Sequence, residues 1–465
     1  MSAALELARR ARAAAGADAL ATVTRERSTM LRFARSRPTQ ATSIDDATVE
    51  IAALRAGHVG RAATNRTGDE ALADCARAAV GAAEAAAARG GTGHYPGFPR
   101  PTATRAHDGH DSETARLDPR AAGAALASAF DVADRAGVEA GGIWTAGEVE
   151  TAIAASTGVE VSDRVTDAFM KVIATAPDGR TGYAAQTAVA AGALDAAALG
   201  ERASRKATAT VGAVAAGAAG DEPATLDPGE YTVVMERHAV LELLWVLGHT
   251  ALDGLAHAEG RGALTGALGT RVVSPAINLS DSPRFHATLP RAFDAEGVAK
   301  APLPLIQDGV AHRVVHDTRS AAIAGAPAET TGHALVAGGQ ASGPRPTNLV
   351  MVGGGAADEA ELCAPVERGV YVTRLWYTNV VRPSESLFTA VTRDGTFLIE
   401  DGEIRRPLHD MRITDSALGI LARVQALGAR ALLTSDGELY GRRFATGAVC
   451  PPLRAAAVRF SGASP

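Results

Sequence analysis

Two long stretches of this chain alternate apolar and polar residues, and each leads to helices built mostly of alanine. No other feature narrows the possible folds as much. The first stretch runs through Leu20 to Arg27, then Ser28 to Arg35, and resumes at Thr48 to Ala52. The second runs through Ile143 to Ala155 and Val159 to Ala176, with a turn signal at Asp178-Gly179. A period of two puts alternate side chains on opposite faces and marks half-buried strands. Residues 2–15 form an Ala/Arg helix closed by Gly16, and Ala71 to Arg89 form another. Thr67-Gly-Asp-Glu70 has the spacing of a capping box ahead of that second helix. Ala-rich helices are also expected over roughly 119–137 and up to Thr208. Residues 1–215 therefore read as two rounds of strands plus helix, without an exact repeat.

The character changes after residues 216–229, which are rich in Ala, Gly, Asp and Pro and make the best domain boundary. Tyr231 to Met235 is a strand candidate, and Glu236 to Ala258 has the strongest helical pattern in the chain. Short strands and turns follow. Thr396 to Glu400, Asp401-Gly402 and Glu403-Ile404 read as a hairpin, because Asp-Gly favours the positive φ of a type I′ turn. The expected fold class is α+β. Residues 1–222 form an N-terminal α/β-layer domain with Ala-rich helices, and residues 223–465 a mostly antiparallel β domain with one long helix. Residues 90–117, rich in Gly, Pro, His and Asp, are expected to be a long loop.

Composition excludes several classes of function. With 46% hydrophobic and 21% charged residues, the chain is an ordinary globular protein rather than a disordered one. Its 465 residues fit two or three domains. Only 4% of residues are aromatic, the net charge is −6 and basic residues form no block, so nucleic acid is not an expected partner. The most apolar tract, Val211 to Gly220, is too short to span a bilayer, and arginines interrupt the N-terminal segment where a signal peptide needs apolar residues. Three widely spaced cysteines, Cys75, Cys363 and Cys450, do not suggest a disulfide framework. A cytoplasmic protein that does not engage a membrane is expected.

The long helix carries His238, Glu242, His249, Asp253 and His257. At about 100° per residue, His238, Glu242 and His249 share one face, yet His238 and His249 stand roughly 16 Å apart along the axis and cannot bind one metal. The pairs at i, i+4 offer two ligands each, and zinc needs at least three. The simpler reading is a row of hydrogen-bonded histidines. Cys450, within Thr446-Gly-Ala-Val-Cys-Pro-Pro-Leu453, could ligate zinc as a thiolate or could be a small buried apolar group. His333 lies between glycines in Thr331 to Gly339, where a substrate-lining loop and a plain turn are both open.

The C-terminal half also contains Tyr231-Thr-Val-Val-Met235, Phe293-Asp-Ala-Glu-Gly-Val298, Leu305-Ile-Gln-Asp-Gly-Val310, Thr331-Gly-His333, Pro346-Thr-Asn348 and Thr396 to Ile404. In this order and spacing these segments resemble the TldD/PmbA metallopeptidases, and the N-terminal half fits more loosely through Arg61 to Asn65 and Ala155 to Gly158. In that family the TldD kind of subunit carries His-Glu-x-x-x-His on the helix opening the C-terminal domain, and a late Cys completes a zinc site. The TldE kind lacks the motif and pairs with a TldD subunit to enclose a chamber that cleaves extended peptides. Here Gly248-His249 matches the second His, whereas Leu244 and Trp245 stand in the first two slots. Cys450 matches the late Cys. The resemblance therefore implies a TldE-like subunit with no cofactor of its own, zinc in a TldD-like partner, and a peptide or small-amide substrate. His249, His333 and Asn348 are the candidates for the chamber wall, with His249 and Cys450 as remnants of a metal site. Two other readings remain: an independent hydrolase with a site rebuilt on His249 and Cys450, and a non-catalytic peptide-binding scaffold.

Overall fold

The alternating segments form strands longer than the sequence pattern marked. The structure, a computed structural model, describes residues 2–16, 18–90, 93–208, 223–437 and 441–463. Helix α1 (Ala3–Ala15) begins where the Ser2 side chain accepts from the Leu5 N–H and stops at Gly16. It is followed by β1 (Ala19–Ala34), β2 (Arg37–Arg55), β3 (His58–Thr64) and α2 (Asp69–Ala88). A second round comprises α3 (Pro119–Arg135), β4 (Glu139–Ala155), β5 (Glu160–Thr175), β6 (Thr181–Ala188) and α4 (Ala196–Ala207). Each round is helix, three antiparallel strands, helix. The sheet order β3-β2-β1-β4-β5-β6 joins the two rounds through the central β1–β4 pair.

Three expectations change here. β1 does not break at Arg27. β2 starts at Arg37, although residues 37–47 are mostly exposed and show no apolar alternation, because β1 supplies a hydrogen-bonding partner along that length. The Thr67–Glu70 capping box does not form: α2 starts at Asp69, and its N-cap Gly68 has no side chain to bond with. The Val211 to Gly220 tract and most of the expected linker lie outside the described residues.

One face of this sheet is covered by the four helices. Ala4, Ala8, Ala11 and Ala15 of α1 are buried with Ala21, Val23 and Ile51. Leu126 and Ala129 of α3 and Leu199 and Ala203 of α4 are buried with Met170 and Val172. Alanine allows helix and sheet to approach closely, and two glycines extend this to backbone contact. A Cβ on Gly60 of β3 would lie 2.1 Å from Ala83 N of α2, and one on Gly182 of β6 would lie 2.1 Å from Ala203 O of α4. The two rounds thus use the same device on their outer strands.

The opposite face, bearing Leu20, Ile153 and Val159, packs on Phe293 and Ala337 of the C-terminal half. That half opens with β7 (Gly229–Met235), α5 (Arg237–Thr250) and α6 (Gly254–Ala258). It continues through β8 (Leu279–Asp281), β9 (Leu303–Gln307), β10 (Val310–Ala311), α7 (Thr318–Ala324), β11 (Asn348–Met351) and α8 (Glu359–Cys363). Then come β12 (Arg368–Arg382), β13 (Leu387–Glu400), β14 (Glu403–Pro407), β15 (Met411–Ser416) and α9 (Ala417–Ala422). It ends with β16 (Val424–Leu427), β17 (Leu432–Thr434), β18 (Gly447–Cys450) and β19 (Leu453–Ala463). Strands β12, β7, β19, β15 and β13 close into a ring because β13 also pairs with β12, with β14 and β16 attached outside. A second sheet runs β10-β9-β8-β11-β18-β17. The Asp401-Gly402 hairpin forms as expected, with φ of +52° and +80° at its two central residues.

Helix α5 lies in the core shared by ring and sheet. Val240, Leu243 and Leu247 are buried together with Met235 and Val372 of the ring and Leu279 and Met351 of the sheet. The single helix expected over Glu236–Ala258 is in fact two. The chain leaves α5 at Ala251, and Asp253 caps α6 by accepting from the Leu255 N–H. The break joins Asp253-Gly254 to the neighbouring chain: Gly254 N donates to Val315 O at 2.9 Å, and a Cβ on Gly254 would clash with that carbonyl. No helix among the described residues is long and apolar enough to cross a membrane.

Buried ion pairs tie the halves together. Lys206 Nζ of α4 lies 2.6 Å from Glu236 Oε1 at the start of α5 and donates to Tyr183 O, while Tyr371 Oη donates to the same carboxylate at 2.7 Å. Breaking a buried pair by removing one partner costs about 3–5 kcal/mol. Lys206→Met is expected to lower stability by about that amount in chemical denaturation, and Lys206→Met with Glu236→Leu should recover much of it. A single-variant loss below about 1 kcal/mol would show that the pair does not carry the interface.

Candidate active-site cavity

The face of α5 turned away from the core opens on a cavity between the two halves. Leu241, Glu242, Leu244, Trp245, Gly248 and His249 line it, and these recur at helical spacing on one side. Asp167, Phe169 and Thr187 of the N-terminal sheet face them. The loop Arg345-Pro346-Thr347 and the segment Phe444 to Ala448 close the sides, leaving about 310 Å³. A second cavity of about 210 Å³ adjoins it, sharing Thr347 and Phe444.

His249 is positioned by its own helix. Its Nδ1 lies 2.8 Å from Trp245 O, which makes Nδ1 the donor, and its ring stacks on the Trp245 indole at 3.9 Å between centroids. Burial, with the Arg345 charge nearby, pushes its pKa down to about 4. The imidazole is therefore neutral near pH 7, with Nε2 as its remaining acceptor. Glu242 lies seven residues earlier, about 10 Å along the axis. Burial raises its carboxyl to about 7. His238 is buried away from this cavity, edge-on to Tyr183 at 5.0 Å, and makes no pair with Glu242.

The other residues singled out from the sequence lie elsewhere. Asn348 is completely buried: its amide donates to Leu289 O and Thr288 Oγ1, and Thr347 Oγ1 donates to its Oδ1. It pins the Thr288-Leu289 turn, while its neighbours Thr347 and Leu349 reach the cavity. His333 borders the adjoining cavity. Its Nδ1 is 2.9 Å from Thr331 Oγ1 and its Nε2 is 3.3 Å from Asp281 Oδ1, which also faces Lys300 Nζ at 3.2 Å. Burial disfavours the Asp281 charge, but Lys300 and His333 outweigh it and hold the carboxyl far below its usual range. Asp281 Oδ2 accepts from both Thr347 N and Asn348 N, so this group shapes the wall behind the cavity.

Cys450 is not part of the cavity lining. It is fully buried in the apolar core, its Sγ is 3.6 Å from Arg237 O in the first turn of α5, and burial pushes the thiol up to about 12. A protonated thiol there is a poor metal ligand. Leu244 is 1% exposed and belongs to the core cluster, whereas Trp245 is 43% exposed. Among the described residues no three His, Cys, Asp or Glu side chains come together as a metal site. The side chains at this face of α5 do not fit a zinc ion: His249 and Glu242 lie about 10 Å apart along the axis, and Leu244 and Trp245 between them have no lone pair to give.

Two further side chains shape the cavity chemistry. Arg443, buried, binds Asp167 through Nε and Nη2, both at 2.7 Å, so Asp167 enters the cavity wall already neutralised. Arg345 was not picked out from the sequence, although it adjoins Pro346-Thr-Asn348 and is fixed between two prolines. Flanking prolines restrict the backbone on both sides of the arginine, and that was the available signal.

The comparisons with known proteins fit this architecture. The fold is a mixed α+β architecture with a cavity between its two halves. The description "PmbA/TldA metallopeptidase" matches in three parts: domain 1 over residues 21–83, the central domain over 111–211 and the C-terminal domain over 228–462. The chain belongs to the PmbA/TldD metallopeptidase family. The first two parts together supply the N-terminal sheet β3-β2-β1-β4-β5-β6. A protein described as a metalloprotease from Methanothermobacter thermautotrophicus is 29% identical over 192 residues, which are 40% of this chain and 41% of that protein. The structure of TldE from Thermococcus kodakarensis superposes with a TM-score of 0.81 at 20% identity, covering 99% of this chain and 100% of that one. A Thermotoga maritima protein described as a candidate modulator of a DNA gyrase gives 0.80 at 20% identity, with 98% and 99% covered. These two likenesses establish the shared fold.

The titration of Glu242 is testable. Its folded-state pKa near 7 lies above the ordinary 4.5, so above pH 4.5 the unfolded chain releases this proton first and the folded state loses stability until about pH 7. Glu242→Gln should raise stability at pH 8 and much less at pH 4, below the ordinary carboxyl pKa. An equal effect at both pH values, in denaturant titrations, would show that the carboxyl is not desolvated.

Proposed function

We propose that this chain is the TldE-like subunit of a two-chain zinc peptidase, in which a TldD-like partner carries the metal and this chain forms part of the wall of the peptide chamber. One observation carries the reading. The helix that holds the zinc motif in TldD-type subunits here lines a cavity with Leu244 and Trp245, and Cys450 is sealed in the core as a thiol. A face of this kind can hold a substrate but offers too few donors for a catalytic metal.

The cavity suits a short stretch of peptide. Leucines 241, 244, 289 and 349 with Phe169, Trp245 and Phe444 give apolar walls, and Arg345, His249 and Glu242 supply the polar groups. A substrate class of extended peptides or small amides is consistent with that lining. All three cysteines are free and buried, which suits a reducing cytoplasm.

The test is reconstitution. Alone, the purified chain is expected to hold well under 0.1 zinc per chain and to leave unfolded peptides intact. Co-expressed with a TldD-like protein, it should co-purify as a complex that cleaves them and loses activity to a chelator. Stoichiometric zinc with unaided hydrolysis would establish the independent hydrolase instead. Failure to form any complex with TldD-like proteins would favour the scaffold.

A further inference from the structure

Arg345 combines three properties that ordinary surface arginines do not share. It lines the cavity beside His249. Its Nε is sealed from solvent with no acceptor, and among the described residues its guanidinium has no hydrogen-bond or ion-pair partner. Burial depresses its pKa, yet an arginine stays charged. The negative group that acts on it, Asp253, uses Oδ1 to cap α6 and forms no ion pair with it. The remaining carboxylates of the cavity do not neutralise it either. Asp167 is bound by Arg443, and Glu242 with Asp436 lies toward the end of the cavity shared with the small pocket by Trp376. The adjacent His249 is neutral and neither competes with nor compensates the cation.

A half-buried, unpaired guanidinium in an apolar cavity is a built receptor for a planar anion. Its parallel N–H groups match the two oxygens of a carboxylate, and such charge-assisted pairs are roughly twice as strong as neutral hydrogen bonds. We propose that Arg345 anchors a peptide carboxylate in this cavity, with the preceding apolar side chain against Leu244, Leu289 and Phe444. The inference deepens the reading of the cavity as a peptide chamber and rests on it. The carboxylate can be a C-terminal one or that of an acidic side chain, and the chemistry recognised is the same.

The test uses the full chain alone, without partner or hydrolysis, so the absence of a TldD-like partner would leave it unaffected. Calorimetry compares acetyl-Leu-Leu with a free carboxylate, its C-terminal amide, and acetyl-Leu-Glu amide. The acid is expected to bind at least about tenfold more tightly than the amide. Equal tightness for the Glu-containing amide would assign the side-chain source, and weak binding of it the C-terminal source. Arg345→Gln should bring the acid down to the affinity of the plain amide without changing the latter, and Arg345→Lys should fall between. Equal binding of acid and amide by the native chain, or no binding of either, overturns the proposal. So does a loss in Arg345→Gln that is the same for both ligands.

Discussion

The architecture depends on burying a polar sheet face. One face of the six-stranded sheet is closed by Ala-rich helices and needs no charge compensation. The other brings Glu26, Asp163 and Asp167 into hydrogen bonds with the C-terminal half. Charged groups out of water are costly unless each is paired and hydrogen-bonded. At Asp167 the chain meets this with a cation from across the seam. Arg443 binds Asp167, its main-chain N–H donates to Glu26, and Nη1 donates to Thr145. Arg374 binds Asp394, which also accepts from Thr181 of β6. Gly147 leaves room for the Arg443 side chain, since a Cβ there would lie 2.5 Å from its Nε. Such pairs need defined geometry, so they fix the register of one half against the other more than hydrophobic contact alone would.

That registration produces the cavity. Where the sheet face is apolar, around Leu20 and Ile153, it packs directly on Phe293 and Ala337. Where it is polar, Arg443 binds Asp167 directly, and two adjoining spaces remain that share Thr347 and Phe444. The electrostatics inside follow from the same economy of charge. Several buried charges have an opposite partner: Asp167 has Arg443, Asp281 has Lys300, Glu236 has Lys206. Arg345 forms no ion pair among the described residues and the Glu242 carboxyl is raised to about 7, and both lie on the cavity wall.

The sequence exposed the periodic parts of this molecule and hid the parts that depend on distant partners. The two rounds of strands and helix were legible because the period of two and the alanine runs are local properties. Residues 37–47 were not, because their strand state comes from the ladder with β1 rather than from their own side chains. The break in the long helix was hidden for the same reason: it answers to Val315, far along the chain. Among the site candidates, His249 could be placed by helical spacing. His333 and Asn348 sit in polar glycine- or proline-flanked segments whose burial only the tertiary structure reveals. Arg345 is conspicuous only once its lack of a partner is seen.

The apolar side chains of α5 have a structural logic of their own. A helix face carrying an imidazole and a carboxylate for a metal leaves those groups desolvated whenever the metal is absent, so such a face is stable mainly when loaded. Leu244 instead joins the core between ring and sheet, and Trp245 covers His249, whose Nδ1–H is already satisfied by the Trp245 carbonyl. The helix thus holds its shape through apolar contact and one local hydrogen bond, with no ion required. Arg345, whose Nε has no acceptor, faces the same cavity as this helix.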